Sequence, residues 1–197
     1  DAFLMPQSQD FKRKNDGNMG PNTGGMGSIC PANILTATEL NKVQTHLNNV
    51  VKYTKYVGIL YAGIMKTSNG ICFLEFNCRF GDPEAQTILN LLNTPLIDIM
   101  ESCIQGTVPK ISWKDEYSAC VVLSTNEYPF SKIARTKVSL KAPLDPNVKV
   151  YNANIDKDNY TTGGRILSLV ANSKNSLFHS LTQLLNNAHK FDIPNLF

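Results

Sequence analysis

From Thr36 onward the apolar positions fall into clear periods. Leu40, Val43, Leu47 and Val50 recur at helical spacing and share one face. Thr36-Ala-Thr-Glu39, just ahead of them, has the spacing of a capping box, so a helix is predicted to start there. "KYVGILYAGIMKT" and "GICFLEFNCRF" then read as two strands joined at Thr67-Ser68-Asn69-Gly70. An Asn-Gly pair between two such runs signals a hairpin, and the strands are expected to be antiparallel neighbours. "PEAQTILNLLN" restarts the helical period with Pro83 at its first position, and a second short helix is expected over 96–104, ending near Gly106.

Beyond "GTVPK" (106–110) the pattern changes to short β-like runs at 119–124, 136–140, 148–155 and 160–171. An amphipathic helix carrying Leu177, Leu181, Leu184, Leu185 and Ala188 closes the chain. This part reads as a small sheet covered by one helix. Residues 1–35 differ from both: "NDGNMGPNTGGMGSICPAN" is rich in Gly, Pro and Asn, shows no apolar period, and reads as a long loop. The fold class is therefore α+β, with a boundary expected between residues 1–105 and 106–197.

Composition narrows the partners. Of 197 residues 42% are apolar and 18% charged, as in an ordinary globular protein. A net charge of +3, spread over scattered basic residues, gives no electrostatic footprint for nucleic acid. Five widely spaced cysteines (Cys30, Cys72, Cys78, Cys103, Cys120) contain no CxxC pair, so buried free thiols in a reducing compartment are expected. The chain opens at Asp1 with no basic-then-apolar leader, and its longest apolar run, 57–65, is too short to span a bilayer. A cytoplasmic location without membrane attachment is the expectation.

Two segments carry candidate chemistry. In "LEFNCRFGDPE" (74–84), Glu75, Asn77 and Arg79 alternate and are expected on one strand face, about 7 Å apart at successive steps. A carboxylate and a carboxamide oxygen are hard donors of the kind Mg²⁺ accepts. An Arg one step on suits a phosphoryl oxygen or charge developing during its transfer. A solvent-facing side of an amphipathic hairpin would carry the same residues. Asp82 and Glu84 follow in a turn into a helix; acids there favour the helix dipole, or hold a cationic or hydroxyl-rich substrate. The second segment, "GPNTGGMG" (20–27), lacks Walker A and GxGxxG spacing, but its glycines let backbone N–H groups approach an anion. A tight surface turn is the competing reading. Asp10, Lys12 and Arg13 just upstream are charges suited to a phosphorylated ligand, or a solvated cluster.

"QDFKR", "DGNMGPNTGGMGS", "GILYAGIM", "LEFNCRFGDPEAQ" and "TTGGRILSL" together resemble, in order and spacing, the C-terminal half of the phosphoribosylamine–glycine ligases (glycinamide ribonucleotide synthetases), ATP-grasp carboxylate–amine ligases of purine synthesis. The resemblance covers nearly the whole chain. It implies the second half of an ATP-grasp domain, an antiparallel sheet with helices, over 1–105. A small β-rich domain with one covering helix, of the rudiment single hybrid kind, would follow over 106–197. It also implies ATP and Mg²⁺ (or Mn²⁺) as cofactors, glycine and 5-phosphoribosylamine as substrates, and a glycyl phosphate between them.

Carried over residue by residue, Glu75 and Asn77 would be metal ligands and Arg79 would contact the transferred phosphoryl group. Asp82, Pro83 and Glu84 would lie beside the amine substrate, with Asp10, Lys12 and Arg13. Asn22, Thr23, Gly24, Gly25 and Met26 would form a substrate-facing loop. This chain departs from the family at Phe11, where a His is usual, at Glu127 in place of a Gly, and at Tyr151–Asn154. The family's N-terminal part, which holds most of the nucleotide pocket, would precede Asp1, so a portion of a longer enzyme, inactive by itself, is expected. Another ATP-grasp ligase, or a binding module without chemistry, are the other readings.

Overall fold

The computed structural model describes residues 1–107, 109–130, 135–194 and 196. In chain order these form β1 (Gln9–Asp10), β2 (Arg13–Asn15), β3 (Met19–Asn22), β4 (Gly27–Cys30), α1 (Ala37–Thr54), β5 (Tyr61–Thr67), β6 (Gly70–Asn77), α2 (Glu84–Leu91) and α3 (Leu96–Gln105). They continue with β7 (Tyr117–Ser124), β8 (Ser139–Leu140), β9 (Lys149–Asn152), β10 (Arg165–Ser173), α4 (Leu177–Ala188) and β11 (Phe191–Asp192). No helix among the described residues is long and apolar enough to cross a membrane.

The elements gather into two compact units with interleaved chain. One comprises Asp1–Gln7, Ala32–Gly81 and Leu92–Lys114; the other comprises Ser8–Pro31, Asp82–Leu91 and Asp115–Phe197. This division does not coincide with a single cut after residue 105, because strand pairing draws the first thirty residues toward the last eighty.

The first unit holds α1, α3 and the β5–β6 hairpin. The capping box at the start of α1 forms: Glu39 N–H donates to Thr36 Oγ1, and Glu39 Oε2 accepts from Thr36 N–H at 2.8 Å. The bond from Thr36 N–H, with those from Lys66 Nζ at 3.0 Å and Thr36 Oγ1 at 2.9 Å, holds the Glu39 carboxyl down at about 2. Val43 and Leu47 turn inward from α1. The hairpin closes through Ser68 and Asn69, with Gly70 at a φ of +112° that a side chain would strain. Its register slips between Gly63 and Ile64, which face Glu75 and Phe73. That bulge absorbs Leu74 and brings Phe73 and Phe76, three residues apart, to the same side, where both stack on His46 of α1 at centroid distances of 4.3 and 6.1 Å. Both hairpin strands are shorter than their apolar runs suggest.

The second unit is a five-stranded antiparallel sheet in the order β1-β4-β7-β10-β9. Residues 1–35, expected to be a loop, instead supply four short strands, and β4 is an interior strand of this sheet. Its four residues are too few to show a period, and Gly27 is required because a Cβ there would stand 2.6 Å from the Cys120 carbonyl oxygen across the ladder. Alternation along β7 and β10 separates two faces. Ala119, Leu123, Leu167, Leu169 and Ala171 join Leu184 and Ala188 of α4 in the main apolar core.

The opposite face is covered by α2, and much of that contact is polar. Ser28 Oγ lies 3.1 Å from Thr87 Oγ1, and Asn90 Nδ2 donates to Asn172 Oδ1 at 2.6 Å. Pro83 does not start the helix as expected; it stands buried in the turn before it, and Glu84 is the first helical residue.

The cysteines divide, contrary to the expectation that all are buried. Cys30 and Cys120 are buried in the sheet, and desolvation pushes both thiols up to about 12, whereas Cys72 and Cys78 on or beside β6 are exposed. Ellman's reagent on the native chain should therefore react promptly with Cys72 and Cys78 and leave Cys30 and Cys120 silent until denaturant is added. Peptide mapping that found Cys30 or Cys120 labelled at the rate of Cys72 would contradict the burial of β4 and β7.

Candidate active site

The first group of candidates lies in the first unit. Glu75 and Asn77 sit at alternate positions of β6, opposite Gly63 and Tyr61 of β5, and project on one side. The stem of Glu75 lies over Gly63, where a Cβ would come within 3.1 Å of its Cγ, so the glycine makes room for the acid. Arg79 does not continue this face. β6 ends at Asn77 because its partner Tyr61 is the first residue of β5, and Arg79 follows in a bend with Nη1 donating to the Phe80 carbonyl at 2.8 Å.

A hard divalent cation fits the Glu75–Asn77 pair. Both offer side-chain oxygens on one face, and Glu75 is exposed. No group of three His, Cys, Asp or Glu side chains with metal-site geometry occurs among the described residues, so these two oxygens are what the strand would contribute. Mg²⁺ accepts that arrangement, since it commonly keeps water and substrate phosphates in its remaining positions.

The second group lies in the other unit and is drawn together from across the chain. Asp10 on β1 has a side chain only 8% exposed, ion-paired with the half-exposed Lys12. Burial pushes its carboxyl up to about 6, against the hydrogen bond from Lys12; nearby Glu84 adds to the rise, while the charges of Lys12 and Arg165 oppose it. Glu84, at the first position of α2, is buried too.

The glycine loop packs directly on Asp10 and on Pro83, the residue before Glu84. Gly25 has a φ of +122°, and a Cβ there would meet Pro83 Cδ at 2.5 Å and Asp10 Oδ1 at 2.9 Å. Thr23 ties the loop to the strand beneath it, its N–H and Oγ1 both donating to the Lys12 carbonyl at 2.8 and 2.9 Å and its Oγ1 accepting from Gly25 N–H. Met26 continues the tie: its N–H donates to Phe11 O at 2.8 Å and its carbonyl accepts from Val122 N–H. The turn with the acids is anchored from below, as Ser28 Oγ donates to Pro83 O at 2.8 Å and Thr87 Oγ1 to Glu84 O at 3.0 Å.

Asp82 is exposed, accepting from Gln86 Nε2 at 2.9 Å and pairing with Arg165 at 3.0 Å. Of the remaining candidates, Arg13 turns to the Gly20 carbonyl at 2.8 Å, and Asn22 is exposed at the end of β3. Thus Asp10, Lys12, Gly24, Gly25, Asp82, Pro83 and Glu84 converge, whereas Arg13 and Asn22 lie at the margin.

Sequence reasoning missed three members of this cluster. Arg165 donates to the carbonyls of Gly24 and Asp82, Tyr128 Oη accepts from Gly24 N–H at 2.8 Å, and Lys14 Nζ donates to the carbonyls of Thr125, Asn126 and Tyr128. The signals were the scarcity of Arg in the chain and the paired glycines of "GGR", neither of which indicates a partner 140 residues away. Chemically the cluster offers buried carboxylates to an amine or hydroxyl groups, beneath a loop without side chains at its two closest positions.

Comparison with known proteins agrees with the resemblance in the sequence. Residues 1–85 match the family model for the phosphoribosylglycinamide synthetase ATP-grasp (A) domain. The chain is 36% identical to a phosphoribosylamine–glycine ligase of Leptospira interrogans, an alignment covering 99% of this chain and 48% of that protein. It is 40% identical to the trifunctional purine biosynthetic protein adenosine-3 of Drosophila melanogaster, over 85% of this chain and 13% of that protein. The chain thus spans less than half the length of these relatives. Among solved structures, the phosphoribosylamine–glycine ligase of Thermotoga maritima superposes with a TM-score of 0.82 at 26% identity, covering 98% of this chain and 50% of that one. A biotin carboxylase domain of Hydrogenobacter thermophilus, 13% identical over 88% of this chain and 40% of its own with a TM-score of 0.66, shares the fold. The fold is α+β and of the ATP-grasp kind.

The buried acid leads to a pH-dependent expectation. Because the folded state raises the Asp10 carboxyl, its favourable contribution is complete below about pH 4 and is lost as pH rises through about 6. Asp10→Asn should match the parent near pH 4 and exceed it in stability at pH 7, by at most about 3 kcal/mol. Urea unfolding at the two pH values measures this, and a difference that does not change with pH would refute the burial of a charged Asp10.

Proposed function

We propose that this chain, whose residues 1–85 belong to the phosphoribosylglycinamide synthetase ATP-grasp family, is the metal-ligand and amine-substrate part of an ATP-dependent carboxylate–amine ligase that joins glycine to 5-phosphoribosylamine in the cytoplasm. The products are glycinamide ribonucleotide, ADP and phosphate. The observation that carries the reading is the buried Asp10–Glu84 pair beneath the glycine loop. Burying two carboxylates side by side costs stability, Lys12 offsets that cost only in part, and a substrate amine is a cation suited to offset the rest. The relatives' names supply the reaction, and their greater length implies that further segments hold the nucleotide.

Each residue then has a task. Glu75 and Asn77 would hold Mg²⁺ or Mn²⁺ through their side-chain oxygens. MgATP, when bound, supplies the phosphoryl group that converts the glycine carboxylate into an acyl phosphate. Arg79, next along the chain from these ligands, neutralises charge on the phosphoryl oxygens. Asp10 and Glu84 hold the amine of phosphoribosylamine, Asp82 and Lys12 flank it, and loop residues Asn22–Met26 close over it. The amine nitrogen bonds to the acyl carbon, phosphate leaves, and the nitrogen sheds a proton. Asp10, with its carboxyl raised to about 6, is matched to take up that proton near neutral pH. Closing the loop excludes the water that would otherwise hydrolyse the acyl phosphate.

The test is phosphate release in the enzyme that contains this chain, measured with and without glycine and phosphoribosylamine. Glu75→Gln should raise the Mg²⁺ concentration needed for half-maximal turnover by at least roughly 10- to 100-fold. Turnover that required neither amine nor glycine, or an unchanged Mg²⁺ requirement, would remove the reading.

A further inference from the structure

The "TTGGRILSL" segment has no task in the chemistry above, yet its arginine is the most connected side chain beside the glycine loop. β10 pairs with β7 through a bulge between Arg165 and Leu167. Because of it, Ile166 and Leu167, though consecutive, both enter the main apolar core. In a regular strand Arg165 would share a face with Leu167; the bulge aims it elsewhere, a recurring use of such irregularities. Its guanidinium is thereby brought to the loop and the acid turn. Nη1 lies 3.2 Å from Gly24 O, 3.5 Å from Gly25 O and 3.2 Å from Asp82 O, and Nη2 lies 3.0 Å from Asp82 Oδ2.

The two preceding glycines make this placement possible. A Cβ on Gly163 would stand 2.7 Å from Asn154 Cγ, and Asn154 Nδ2 donates to the Arg165 carbonyl at 2.7 Å. A Cβ on Gly164 would stand 2.2 Å from Tyr128 Cδ2, and Tyr128 Oη is the acceptor for Gly24 N–H. Gly163 thus admits the amide that fixes the Arg165 backbone, and Gly164 admits the ring that holds the other side of the loop.

We infer that Arg165, with Tyr128, is a positioning residue: it clasps Gly24 and Gly25 to Asp82 and so sets the loop over the Asp10–Glu84 carboxylates in the position that receives an amine-bearing ribose phosphate. This rests on the reading of that cluster as the amine-substrate site. Arg suits the place better than Lys, because Nη1 meets the Gly24 and Asp82 carbonyls while Nη2 pairs with Asp82 Oδ2, a spread over two nitrogens that a compact ammonium does not match. Both clasping side chains lie in 115–197, outside the segment matched to the ATP-grasp domain, so this last part of the chain completes the substrate site rather than only covering the sheet.

The experiment compares the unchanged chain with Arg165→Met and Arg165→Lys, and uses glycinamide ribonucleotide, the proposed product, as a stable probe. Amide hydrogen exchange at Gly24 should quicken about tenfold or more in Arg165→Met, while Leu169 and Val170 in the strand remain as protected as before. Calorimetric affinity for the probe should fall roughly 10- to 100-fold, with Arg165→Lys restoring little of it. Loop amides as protected in Arg165→Met as in the unchanged chain would overturn the clasp. A loosened loop with unchanged affinity would overturn its positioning role. If the unchanged chain does not bind the probe, the substrate assignment of the cluster fails, and hydrogen exchange still decides whether Arg165 holds the loop.

Discussion

The contact on which the carboxylate cluster depends is the hydroxyl layer between α2 and the sheet. Ser28 on β4 reaches both Pro83 O and Thr87 Oγ1, and Ser8 Oγ, 3.3 Å from Thr87 Oγ1, also donates to Ile29 O. A helix seated by hydroxyls is held differently from one seated by leucines. Apolar contact is non-directional and tolerates sliding, whereas hydrogen bonds in a dry interface specify a register and become costly if it is lost. Each such bond adds only about 1 kcal/mol of net stability, so the layer contributes position more than strength. Strength comes from the other face, where α4 closes the apolar core with Leu184.

That division of labour explains why charged groups are buried on the α2 side. Asp10 and Glu84 would be expelled from a face held by apolar packing alone, since a solvated carboxylate is far more favourable than a buried one. Here the turn is held at Pro83 O and Glu84 O by Ser28 and Thr87, so Glu84 stays beside Asp10 although like charges oppose it. Lys12 and Arg165 reduce the cost without removing it, as the raised Asp10 carboxyl records.

Legibility in the sequence followed the range of the interactions. The α1 capping box, the β5–β6 hairpin, the Gly106 end of α3 and the amphipathic α4 rest on contacts within a few residues or on an uninterrupted period, and all were readable. The strand character of residues 1–35 was not, because β4 is defined by its neighbours β1 and β7 rather than by its own four residues. Arg79 was misplaced for a related reason: alternation continues in the letters after Asn77, but the pairing partner does not. The glycine loop and acid turn were singled out through resemblance to a family, and the fold brings Gly25 against Asp10 and Pro83. Arg165 lay beyond reach, since its direction is set by a bulge that depends on where β7 stops.

The same logic assigns the glycines of the chain to two classes. Gly70 and Gly106 adopt positive φ in open space, so it is backbone conformation alone that favours glycine there. Gly24, Gly25 and Gly164 are different, for the space a side chain would fill is already taken by Tyr128, Arg165, Pro83 and Asp10. Their absence of side chains is a packing requirement of the clasp, and it brings three distant segments within hydrogen-bonding range. A glycine-rich loop is usually read as a mobile one, because glycine has the largest conformational freedom to lose. In this chain the glycines permit the opposite: backbone groups close enough to a tyrosine and an arginine to be held, over a pair of acids that needs covering.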